Sequence, residues 1–168
     1  MIKETEKSKE KFEISYEDYF KTRFYGIVEL MRVLSPILDN KKALDIVKKL
    51  WEKKGIDIIV RQLKNTSSIR NFNDFKEIYK EQISTEYMQH CLKFTMEEDT
   101  QNKLAFKFTK CLWAETFLEM EASDIGDAMC CYPDFAMAKA FHPKLKLIRT
   151  KTLMKGDDFC DSTYIWEE

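Results

Sequence analysis

The sequence predicts an α+β fold, with an N-terminal helical layer packed on an antiparallel sheet made of two hairpins separated by helices. Three observations predict it. Apolar residues recur at steps of three and four through the first half of the chain, the spacing of an amphipathic helix. After residue 84 the period shortens to two, as in a strand with one buried face. Turn chemistry at Asp99-Thr100-Gln101-Asn102 and at Lys155-Gly156-Asp157-Asp158 then closes two hairpins.

The elements follow in order. Residues 1–11 are charged and mixed in sign, and are expected to fray. From Phe12 the apolar set Tyr16, Tyr19, Phe20, Phe24, Ile27, Leu30, Met31 and Leu34 defines a first helix. Ser35-Pro36 should end or bend it, because proline disfavours the helical region for the residue before it. Asp39 or Asn40 can cap a second helix carrying Leu44, Val47, Leu50 and Trp51. Lysines crowd its last turns, and Gly55 suits the position just past its end. Ile56–Leu63 reads as helix, Asn65-Thr66-Ser67-Ser68 as loop, and Asn73 opens a helix carrying Phe75, Ile78, Tyr79 and Ile83.

In the second half, Met88, His90, Leu92, Phe94 and Met96 alternate with polar residues, so His90 is expected on a buried strand face. Leu104, Phe106 and Phe108 return along the partner strand. Helices are expected over Lys110–Met120, from a Ser123 cap through Met129, and from Pro133 to Phe141, where proline fits a first turn. The second hairpin runs Leu145 to Met154 and back from Phe159 to Trp166, with Leu145, Leu147, Arg149, Lys151 and Leu153 on one side. With 168 residues, one domain is expected, helical over 12–84 and α+β over 85–168.

Composition narrows the function. There are 28 basic and 29 acidic residues, and a formal charge of −1 argues against nucleic acid as a partner. The lysines of 41–54 are interrupted by Asp45 and Glu52 and read as a solvated helix face. No apolar stretch approaches about 18 residues, so no membrane span is expected. The five cysteines, at 91, 111, 130, 131 and 160, are odd in number and include an adjacent pair. That is a poor disulfide framework and points to a reducing cytoplasm. The aromatic stripe of the first helix serves the core or a homodimer contact. There is no phosphate-binding glycine loop and no serine elbow.

Cys111-Leu112-Trp113-Ala114-Glu115, Ile125-Gly126, Cys130-Cys131-Tyr132-Pro133-Asp134 and Phe141-His142-Pro143-Lys144 lead to a longer run, Arg149-Thr150-Lys151-Thr152-Leu153-Met154-Lys155-Gly156-Asp157-Asp158-Phe159-Cys160-Asp161. Together these segments resemble the L-2-amino-thiazoline-4-carboxylic acid hydrolase family, most clearly over residues 104–166. The resemblance implies opening of a thiazoline ring by water, with a small-molecule substrate and no cofactor. Where the family usually has an aromatic residue or histidine soon after Cys-Asp, this chain has Ser162-Thr163-Tyr164. Shorter Gly-Asp-x-x-Cys hairpins also occur in four-vinyl-reductase-type ligand-binding domains, which makes a non-catalytic small-molecule-binding or sensor domain the alternative.

Ring opening asks for a nucleophile, a proton-transfer group and a grip on the carboxylate. Cys111, Cys131 and Cys160 lie in the resembling motifs, and a thiolate beside a base or cation is a strong nucleophile. Cys111, at a helix start, would have its thiol pKa lowered by the dipole. Each cysteine can equally be a small buried hydrophobe. Glu115, one helical turn on, is an acid–base candidate or a solvated glutamate. Asp134 is an acid–base candidate or a first-turn residue. Arg149 can pair with a substrate carboxylate, or bridge to Asp134 or Asp157. Thr150, Gly156 and Asp157, from the same run, complete the substrate-binding candidates, although Gly156 and Asp157 are most simply turn residues. A metal set of Cys111, Cys131 and Cys160 with Asp134 or His142 is disfavoured by its long spacings.

Overall fold

The computed structural model describes residues 13–65 and 69–167. Helix α1 spans Tyr16–Leu38 and buries Phe20, Phe24, Val28 and Met31. Ser15 caps it by accepting from the Asp18 amide at 3.0 Å, so the helix begins after the predicted Phe12, which lies outside the described residues together with 1–11. Pro36 does not end it. The chain stays helical to Leu38, and Asp39, at φ 73°, breaks it. Proline here leaves one helical carbonyl without its amide donor, and the helix runs only two residues past it. The Asp39 carboxylate then accepts from the Lys41 amide at 2.9 Å and starts the next helix, as its sequence position suggested.

Helix α2 is continuous over Asn40–Asn65, through Gly55. The expectation that Gly55 closes a helix is therefore corrected. A Cβ at Gly55 would sit 2.7 Å from Met137 Cγ and 2.8 Å from its Sδ. The glycine lets two helices approach closely, which offsets its cost of about 1 kcal/mol relative to alanine in a helix interior. Of the expected loop, residues 66–68 lie outside the described residues. Helix α3 (Phe72–Ile83) is capped by Asn71, two residues before the predicted start.

A short helix, α4 (Glu86–Cys91), replaces the first half of the predicted strand. Thr85 caps it through the Met88 amide. His90 is consequently not on a buried strand face; it is half-exposed and stacks on Tyr16 with ring centroids 4.8 Å apart. Strand β1 (Leu92–Asp99) pairs antiparallel with β2 (Lys103–Cys111), with Leu92 opposite Cys111 and Met96 opposite Phe106. Helix α5 (Leu112–Glu119) buries Leu112, Ala114 and Phe117 and leaves Leu118 exposed. Helix α6 (Ser123–Gly126) starts on Ala122 instead of a Ser123 cap. It runs into a turn of π-helix at Asp127–Cys131, closed by a bond from the Tyr132 amide to the Asp127 carbonyl at 2.8 Å. Helix α7 (Pro133–Phe141) has proline at its first position, as predicted.

Strand β3 (Leu145–Ile148) is shorter than the predicted Leu145–Met154, and β4 (Cys160–Trp166) returns along it. The alternation stops at Arg149 because side chains take over the ladder's donors. Asp161 accepts from the amides of Thr150 and Lys151, and Asp157 from that of Thr152. Leu153–Lys155 then forms a turn of 3-10 helix, so Lys151 and Leu153 do not extend the strand. The four strands lie in the order β1-β2-β4-β3, with antiparallel neighbours throughout. The fold is α+β, helices against an antiparallel sheet, as the sequence predicts.

Burial is divided between two apolar clusters. One joins α1, the first half of α2 and α5 to the π turn, through Phe24, Val47, Phe117 and Met129. The other packs α3, the end of α2 and α7 on the sheet, through Ile59, Phe75, Phe106 and Leu145.

Candidate functional site

A cavity of about 490 Å³ lies where the two clusters meet, walled by Phe24 and Met129 from one and Ile59, Phe108 and Phe141 from the other. Arg23, Gln62, Tyr79 and Gln82 border it from α1, α2 and α3, and an ion pair lies on the wall formed by the π turn, α7 and the sheet. Asp134 is the second residue of α7, held there by Pro133. Arg149 leaves the end of β3, where the broken ladder frees its backbone to turn inward. Its Nη2 donates to Asp134 Oδ2 at 2.9 Å and to Ser162 Oγ at 3.1 Å. Nε also donates to Ser162 Oγ, at 3.3 Å, and Nη1 donates to the Cys131 carbonyl at 3.3 Å. Phe135 covers the guanidinium, its ring centroid 5.8 Å from Cζ.

Cys111, Cys130, Cys131 and Cys160 all line this cavity. Cys111 ends β2, Cys130 and Cys131 end the π turn, and Cys160 opens β4. One hydroxyl lies between two of the thiols: Thr152 Oγ1 is 3.8 Å from Cys131 Sγ and 3.5 Å from Cys160 Sγ. Burial pushes the thiols of Cys111 and Cys131 up to about 12, and that of Cys130 well up also. The expected lowering at Cys111 is therefore corrected. Its helix has eight residues, and the neighbouring Trp113 and Ala114 amides only partly oppose desolvation. The π turn matters here because its extra residue brings two adjacent cysteines to one cavity wall.

Asp134 carries two opposed influences. Desolvation raises its pKa and Arg149 lowers it, and desolvation is the larger. Burial opposes the charge on Arg149, but Asp134, helped by its other neighbours, outweighs it and raises the guanidinium pKa. Tyr79 lines the same space, with burial pushing its hydroxyl up to about 12.

Five of the nine residues singled out in the sequence thus share one cavity: Cys111, Cys131, Cys160, Asp134 and Arg149. Four do not line it. Glu115 is exposed on α5, 3.8 Å from Lys110 Nζ, and so does not meet the thiols. Thr150 Oγ1 donates to Asp161 Oδ2 at 2.7 Å. Asp157 Oδ2 accepts from the Thr152 amide at 2.7 Å, and Gly156 adopts φ 88°, a left-handed turn conformation that suits glycine. Of the two arginine alternatives left open by the sequence, the bridge to Asp134 is present. His142 stacks on Trp166 at the far end of α7. Among the described residues, no three His, Cys, Asp or Glu side chains converge to hold a metal.

Ser162, Cys130, Tyr79 and Trp51 also line it without having been singled out for the site. Ser162 is 1% exposed, a polar residue on a central strand. That was the available signal, because a buried hydroxyl calls for a partner.

These features define a class: an α+β chain whose helices and sheet border a largely apolar, thiol-lined cavity with one half-buried ion pair in its wall. The chain belongs to the L-2-amino-thiazoline-4-carboxylic acid hydrolase family, whose model matches residues 19–164. No curated protein matches the sequence. Among solved structures the fold is similar to trafficking protein particle complex subunit 3 from Naegleria fowleri, a crystal structure covalently bound to palmitic acid. The TM-score is 0.52 at 13% identity, covering 90% of this chain and 95% of that one.

Proposed function

We propose that the protein is a hydrolase that opens the ring of a small cyclic, cysteine-related amidine acid. The half-buried Asp134–Arg149 pair in the wall of the 490 Å³ cavity carries this reading, together with the family membership. Asp134 takes the proton of a water that attacks the amidine-like ring carbon. It returns that proton to the departing ring nitrogen or sulfur as the C–N or C–S bond breaks. Arg149 holds Asp134 in place and offers Nη1 to the substrate carboxylate. Cys111, Cys131 and Cys160 shape the apolar wall. Thiols pushed up to about 12, as at Cys111 and Cys131, are neutral near pH 7, which favours water over a thiolate as attacking group.

The experiment is incubation of the purified protein with the thiazoline acid, following the gain of one water by mass spectrometry. Turnover lost in Asp134→Asn and kept in Cys131→Ala supports the mechanism. No turnover in the parent protein refutes it.

A second reading is a small-molecule-binding or sensor domain. The largely apolar lining favours it, and so does the palmitic acid on the structural neighbour. It requires ligand retention without turnover. A homodimer and a cytoplasmic location belong to either reading. The first is supported by the exposed row Leu30, Val33 and Ile37 on α1 and is tested by sedimentation; the second is supported by the five thiols. Among the described residues, no helix is long and apolar enough to cross a membrane.

A further inference from the structure

A second cavity, of about 400 Å³, lies between α1, α2, the π turn and α7. Its walls are apolar except for two side chains, Arg23 and Lys54, and both are cations. Among the described residues neither makes an ion pair. Arg23 rests on aromatic faces, its Cζ 5.7 Å from the Phe24 ring, and Nη1 donates to the Tyr19 hydroxyl at 3.2 Å. Lys54 Nζ lies 4.4 Å from the Trp51 ring. Two positive charges without carboxylates, set over aromatic rings at an apolar cavity, complement an anion that carries an apolar body.

Phe24, Trp51, Met129 and Met137 line this cavity and the inner one alike, as do Arg23, Ile58 and Cys130, so the two cavities adjoin and Arg23 stands at their junction. Two of these residues are methionines, whose unbranched side chains repack readily around a guest. The tight approach at Gly55 fixes this stretch of α2 against Met137, beside Lys54.

We propose that this outer cavity is a binding site for an amphipathic monocarboxylate, an alkyl or aryl acid. Its carboxylate sits between Arg23 and Lys54, and its apolar body runs along Trp51 toward the inner cavity. A bare inorganic anion gains nothing from the apolar walls, and an amphipathic cation is repelled by both charges. The site goes beyond ring opening and does not depend on it.

The test is calorimetric titration of the full chain with decanoate, decanol, decyltrimethylammonium and acetate. Decanoate is expected to bind at least about tenfold more tightly than each of the others. The double variant Arg23→Gln with Lys54→Gln should lose at least about tenfold for decanoate while leaving decanol unchanged, and Arg23→Lys should keep most of the affinity. Thermal melting of each variant confirms that it is folded. Asp134→Asn, which removes the proposed hydrolysis, should leave decanoate affinity in place, so the two proposals fail separately. Equal affinity for decanoate and decanol, an unchanged double variant, loss in Asp134→Asn, or no decanoate binding would each overturn the assignment.

Discussion

Asp134 and Arg149 come from different elements, the first turn of α7 and the end of β3, and meet at 2.9 Å inside the cavity wall. The Arg149 side chain is 12% exposed and that of Asp134 34%, so solvent softens the loss when one partner is removed. Arg149→Met should therefore cost about 1–3 kcal/mol. Removing both, as Asp134→Leu with Arg149→Met, should recover much of that loss. Urea unfolding of the single and double variants measures the difference, and additive losses would show that the pair is not coupled.

Alkaline pH should destabilise the protein. The unfolded thiols of Cys111 and Cys131 titrate near 9.0, whereas burial holds the folded ones up at about 12. Above 9 the folded chain therefore retains protons that the unfolded chain loses. This contribution is complete below 9 and disappears as pH rises toward 12, at up to roughly 1.4 kcal/mol per pH unit per thiol. Tyr79, also pushed up to about 12, adds to the slope above 10. Unfolding at neutral pH and at about pH 10 should show the loss, and Cys111→Ala should flatten it.

The same burial predicts slow chemistry at the thiols. Native protein treated with iodoacetamide near neutral pH should label Cys111 and Cys131 far more slowly than urea-unfolded protein, as read by peptide mass mapping. Rapid native labelling of Cys131 would instead indicate a thiolate and revive it as a nucleophile.

At acid pH a different group matters. Asp99, the last residue of β1, accepts from Lys76 at 2.7 Å and also pairs with Lys80, tying α3 to the hairpin. Both lysines hold its carboxyl below the ordinary range. That contribution is present above the unfolded value near 3.8 and is lost as pH falls through the folded one. Asp99→Asn should cost about 1 kcal/mol at neutral pH, since the site is partly solvated, and nearly nothing at low pH.

Much of this was legible in the chain. The period change after residue 84 marks where helices give way to the β1–β2 hairpin, and the resembling segments carry the five candidates that line the cavity. Other features depend on contacts distant in sequence. Gly55 looks like a helix stop until Met137 is packed against it. Alternation through Arg149, Lys151 and Leu153 looks like a strand until Asp161 and Asp157 take its amides. The π turn adds one residue to a helix without a local signature, so its effect on Cys130 and Cys131 emerges only in three dimensions.

The two apolar clusters touch along the cavity instead of merging into one, and α2 runs the length of both. Widening the seam therefore exposes little packing that is not already interrupted, while α2 keeps the halves in register like the spine of a book. A slight parting of the covers would widen the cavity with no strand unzipped and no helix melted.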